Sequence, residues 1–80
     1  MMPTERMLAE IFNVVLDLPP ESNVEKIRRI SEPRWDSLAH VSLIAAIESE
    51  FKLTLNVADR ERITSYGAAI LLLREKGSIA

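Results

Sequence analysis

Eighty residues, 48% apolar and 28% charged with only 2 Gly and 4 Pro, make a chain of globular composition with room for one core, so a single domain over residues 1–80 is expected. The absence of Cys and the single His exclude a disulfide framework, thiolate chemistry and a Cys- or His-built metal centre. Ten basic against twelve acidic residues, a formal charge of -2, lack the basic footprint of a nucleic-acid binder. No apolar run approaches the roughly 18 residues of a membrane span, and Met1-Met2-Pro3-Thr4-Glu5-Arg6 lacks the layout of a signal peptide, so a cytoplasmic protein is expected. A core of this size seldom supports the shells around a preorganised active site, which favours a binding or carrier role over an enzyme.

From Thr4 to Leu18, the residues Leu8, Ile11, Phe12, Val15 and Leu18 recur at three- and four-residue steps and predict a helix. Thr4 is its expected N-cap, and Pro19-Pro20 should stop it near Asp17. The stretch from Pro19 to Trp35 is long for a connection, and Val24, Ile27 and Ile30, three apart, should lean onto the bundle as anchors. Glu25, Lys26, Arg28 and Arg29 would then form a solvated face.

Asp36 is the expected N-cap of a second helix running to about Phe51. Asn56 and Asp59 mark the start of a short third helix ending near Arg62. A fourth begins around Ser65, with Tyr66, Ala69, Ile70, Leu72 and Leu73 on its apolar face, Arg74 and Lys76 at its negative end and Gly77 as its C-terminal cap. Apart from the short Phe51 to Val57 connection, nothing alternates with the period of a half-buried strand. The expected fold is all-α, with three longer helices, one short helix and a long first loop.

The second helix carries two apolar faces. At about 100° per residue, Leu43, Ala46, Ile47 and Phe51 cluster on one side and Leu38, Val41, Ala45 and Glu48 nearly opposite. Either the helix is buried all round, or the second face is an exposed docking strip. Ser37 follows the cap, where free amides and the helix dipole favour a negative group such as a phosphodiester; the bland alternative is an ordinary first-turn hydroxyl. His40, three residues on, suggests a Ser-His pair. With no third orienting residue or oxyanion nest in the sequence, it reads instead as a surface histidine.

Trp35-Asp36-Ser37-Leu38, followed by Val41, Leu43, Ala46, Ile47, Glu48, Glu50 and Phe51, resembles the attachment helix of the acyl carrier protein family. The family's Asp-Ser-Leu motif is intact and stands at a helix start in mid-chain, and the likeness extends over the whole four-helix pattern. The resemblance implies an acyl-carrier-like four-helix bundle in which Ser37 receives a 4'-phosphopantetheine arm from coenzyme A. Asp36 and Leu38 would flank the attachment point, Asp36 helping to place the phosphopantetheinyl transferase. Leu38, Val41, Ala45 and Glu48 would form the strip that docks acyl- or aminoacyl-loading and acyl-transferring enzymes.

The chain departs from the fatty-acid synthesis members in several places. Trp35 replaces a small residue, either bordering the arm and contacting cargo or partner or packing as a lid over the loop. Ala39, His40 and Ser42 stand where acids are usual, which weakens electrostatic steering and resembles discrete, specialised carriers of secondary or surface-glycan pathways. Hydrophobic cargo would enter between the second and third helices, unless Ile44, Ile47 and Ile63 fill that space. A monomer is expected. The reading outside this family is a non-enzymatic helical adaptor that binds a partner through Leu38, Val41 and Ala45.

Overall fold

The computed structural model describes residues 4–19 and 21–78, and Pro20 and the cap role of the Thr4 side chain lie outside the description. The chain forms α1 (Thr4–Val15), two 3-10 turns (Val24–Lys26 and Arg29–Ser31), α2 (Ser37–Phe51), α3 (Val57–Arg62) and α4 (Tyr66–Glu75). Four helices, three longer and one short, with no strand among the described residues, match the expected all-α class.

Helix α1 stops at Val15, two residues earlier than the prolines suggest, because the backbone turns left-handed at Asp17 (φ 51°). There the Asp17 amide donates to the Val14 carbonyl (3.3 Å) and the Leu18 amide to that of Asn13 (3.1 Å), a Schellman closure that satisfies the last carbonyls. Leu8, Ile11, Phe12 and Leu16 are buried. Val15 and Leu18, expected on the inner face, only pack against the core's edge.

The long first loop is pinned to the start of α4. The Arg29 amide donates to the Thr64 carbonyl (2.9 Å) and the Tyr66 amide to that of Ile27 (3.2 Å), an isolated antiparallel bridge at Arg28 and Ser65. Val24 and Ile27 lean on the core as expected, whereas Ile30 does not, at 94% exposed. The three-residue spacing assumed one helical turn. The chain instead straightens at Ile27 and Arg28 between the two 3-10 turns, and the period is lost before Ile30.

The remaining helices begin where their capping side chains dictate. Asp36 accepts the Ala39 amide at 2.8 Å, Asn56 and Asp59 complete a reciprocal capping box (2.7 and 3.3 Å), and Ser65 accepts the Ala68 amide at 3.0 Å. Gly77, at φ 75°, closes α4 in the left-handed geometry that glycine adopts without strain. Leu43, Ile44 and Ile47 of α2 and Tyr66, Ala69, Ile70, Leu72 and Leu73 of α4 belong to one core, in which both helices pack against α1 and its buried Phe12. The Phe12 ring makes edge contacts with Trp35 (5.3 Å between centroids) and Tyr66 (5.4 Å), joining α1, the loop and α4.

Candidate functional site

The first turn of α2 is built by the cap. With the Asp36 carboxylate on the Ala39 amide and the His40 amide on the Asp36 carbonyl (2.9 Å), the helix begins at Ser37. Ser37 is exposed, and its hydroxyl has no hydrogen-bond partner among the described residues. The amides of Ser37 and Leu38 have no intrahelical acceptor, being first-turn positions, so an anion on the serine oxygen would meet N–H groups and the positive end of the dipole. Ser37 is therefore a bare hydroxyl in a field that favours negative charge.

Trp35, two residues earlier, is 2% exposed and packs into the core beneath the cap, a placement compatible with the lid alternative. Its indole N–H donates to His40 Nδ1 at 2.9 Å, and the two rings stack at 6.0 Å with 26° between planes. This corrects the surface role expected of His40. Because Nδ1 accepts, the ring proton resides on Nε2, which lies 3.1 Å from the Arg60 carbonyl and donates to it. Burial pushes the imidazole below its ordinary value of 6.5, the Arg60 carbonyl opposes this, and the nearby Arg29 charge reinforces it. Both nitrogens are engaged, which leaves no lone pair to take a proton from Ser37.

Further along α2 the outer face is open: Leu38 is 76% and Val41 66% exposed, and Ala45 is exposed as well. A helix buried all round is excluded. Glu48, expected to charge the lower end of this strip, is half-buried and turned inward. Its carboxylate accepts the Leu55 amide (2.8 Å) and lies 3.9 Å from the Arg60 guanidinium, so its first task is to hold the α2–α3 connection. A depression of about 210 Å³ lies beside the strip, bounded by His40, Val41, Ile44, Ala45, Glu48 and Arg60. Ile44, Ile47 and Ile63, at 5%, 0% and 1% exposure, belong to the buried core.

The Trp35–His40 pair is the feature that sequence reasoning missed. A tryptophan just before a helix cap and a histidine one turn inside are the available signal, since the chain reversal at the cap folds the indole back over the first turn. Among the described residues no group of three or more His, Cys, Asp or Glu side chains could hold a metal ion, and no helix is long and apolar enough to cross a membrane. Compared with known proteins, the chain matches no family model, and no curated protein matches its sequence.

Proposed function

We propose that the protein is a carrier: Ser37 bears a 4'-phosphopantetheine arm, and partner enzymes dock on the outer face of α2. The observation that carries this reading is the exposed, unbonded Ser37 hydroxyl at the first turn of α2, directly after the Asp36 cap and directly before the Leu38–Val41 strip. The residues present fit the group. First-turn amides and the helix dipole favour the phosphodiester, Asp36 fixes the turn that presents the oxygen, and Ser37 is exposed among the described residues. Within a cysteine-free chain, the arm supplies the thiol on which an acyl or aminoacyl group is held as a thioester.

Attachment requires the Ser37 oxygen to lose its proton and form an ester to the pantetheine phosphate of coenzyme A, while the nucleotide half leaves. Trp35 is buried, while Ser37 two residues on is exposed. A tethered cargo then reaches successive enzymes at high local concentration, and the carrier need only be recognised. With few acids on the upper part of α2, the Leu38, Val41 and Ala45 surface supplies more of that recognition than charge does. Intact-mass measurement after incubation with coenzyme A and a broad-specificity phosphopantetheinyl transferase tests the reading. We expect the mass of one phosphopantetheinyl group to be added to the wild type and none to Ser37→Ala. An unchanged wild type overturns it.

The exposed strip also favours a second reading, a helical adaptor whose partner seats on Leu38 and Val41 without any modification. Biological activity that survives Ser37→Ala and is abolished by Val41→Asp selects the adaptor; loss in both selects the carrier.

A further inference from the structure

The first loop carries a basic and apolar cluster that the α2 surface leaves unused. Ile30, at 94%, is the most exposed large apolar side chain among the described residues, and it directly follows Arg28 and Arg29. Arg34, Arg60, Arg62, Arg74 and Lys76 each stand beside a carboxylate, whereas among the described residues no carboxylate pairs with Arg28 or Arg29. The adjacent Glu32 is already taken up, accepting from the Arg34 amide (3.0 Å) and guanidinium (3.5 Å). The cluster is also held in place. The Arg29 amide donates to the Thr64 carbonyl (2.9 Å), and the Ser31 amide reaches back to the Arg28 carbonyl (3.2 Å), closing the turn that sets Ile30 outward. Beside it lies a concavity of about 700 Å³ lined by Arg28, Arg29, Ile30, Trp35, Thr64 and Ser65.

We propose that this groove is a second docking surface, for an acidic segment of a partner protein that sets an apolar side chain among its carboxylates. Guanidinium groups bind carboxylates through paired N–H donors, and the two arginines supply them with no internal acid to displace. An apolar side chain of the partner covers Ile30 and removes it from water. Because the backbone already fixes the turn, little ordering opposes binding. A protruding segment fits a concave surface, whereas the net charge of -2 works against a nucleic acid. The charge sense is opposite to that of a basic partner steered by acids on α2, so the two surfaces select different molecules or different faces of one. None of this requires an arm on Ser37, and failure here leaves the carrier reading standing.

The test titrates the unmodified protein with a short capped peptide of Glu and Asp around a central Leu, with its Gln and Asn counterpart, and with free glutamate. NMR follows the Ile30 methyls, the arginine Nε–H groups and the Thr64 and Ser65 amides. We expect the acidic peptide alone to shift these signals, with binding that weakens as salt is raised. The shifts should vanish in Arg28→Gln/Arg29→Gln, whose dispersed spectrum reports an intact fold. Ile30→Ser, a change outside the core, should weaken binding about tenfold. No shift, equal shifts from the neutral peptide, shifts confined to Leu38, Val41 and Ala45, or unchanged affinity in Ile30→Ser overturn the proposal. So does an equal response to free glutamate, which would make the groove a small-anion site. Two further outcomes overturn it by naming another occupant: signals that move with protein concentration alone assign the surface to a second copy, and cosedimentation with anionic vesicles, without a response to the peptide, assigns it to a membrane.

Discussion

His40 has two nitrogens and two fixed partners, a donor in Trp35 and an acceptor in the Arg60 carbonyl, so only the neutral ring satisfies both. Protonation would set an Nδ1–H against the indole N–H. Burial above all, with the Arg29 charge adding and the Arg60 carbonyl opposing, holds the folded-state pKa below the ordinary 6.5, and as pH falls the unfolded chain takes up the proton first. The stability this contributes is whole above about 6.5 and is lost as pH falls through the folded value. Thermal unfolding between pH 7.5 and 5.5 should show that decline, and His40→Gln should flatten it, since no other histidine is present. Trp35→Phe frees Nδ1. It should cost about 1 kcal/mol for the lost hydrogen bond in urea unfolding and raise the His40 pKa in an NMR titration. The cap at Asp36 was legible from sequence because a carboxylate before a helical pattern has one local use; the Trp35–His40 bond was not, because its geometry exists only once the cap has turned the chain.

At the scale of elements, α2 separates two kinds of apolar residue that the sequence lists side by side. Leu43 is fully buried and Val41 is 66% exposed, although two positions apart. Leu43→Ala should cost about 2–5 kcal/mol in chemical unfolding. Val41→Asp should change stability by no more than about 0.5 kcal/mol while abolishing partner recognition. Asp36→Ala should cost about 1 kcal/mol by removing the cap. The helical periods and capping residues made the four helices readable in advance. Within the first loop the same spacing argument failed at Ile30, because pairing with residues 64–66 is a long-range event that three-residue spacing does not encode. The short α3 is held from outside itself. The Asp59 carboxylate meets Lys76 at 2.8 Å, and this hydrogen bond, partly opposed by desolvation, holds its pKa below the usual carboxylate range. The stability it contributes is present above the unfolded carboxylate value and lost as pH falls through the folded one, so Lys76→Met should raise the pH of acid unfolding followed by circular dichroism.

For the whole molecule, stability depends on few contacts. Phe12 is fully buried and touches Trp35 and Tyr66, so one ring connects α1 to the loop under the Ser37 turn and to α4. The Tyr66 hydroxyl in turn donates to the Glu5 carbonyl (2.9 Å), and Arg74 pairs with Glu5 (2.6 Å), which ties the two ends of the chain together. Phe12→Ala should remove about 3–5 kcal/mol, a large share of the roughly 5–15 kcal/mol typical of a domain, and calorimetry should show one broad, lowered transition for all helices. Sedimentation at micromolar concentration should report a monomer, because the apolar strip of Leu38, Val41 and Ala45 is much smaller than the surface a stable dimer buries.

One detail of the backbone bears on the protein as a material. Helix α2 ends on Lys52 at φ 55°, a left-handed residue that carries a full side chain where glycine would be relaxed. Lys52→Gly exchanges that strain for a more flexible denatured chain, a trade expected to leave a net gain of up to about 1 kcal/mol. Remote from Ser37, at the opposite end of its helix, this single exchange offers a hardier scaffold with its surface for other molecules unaltered.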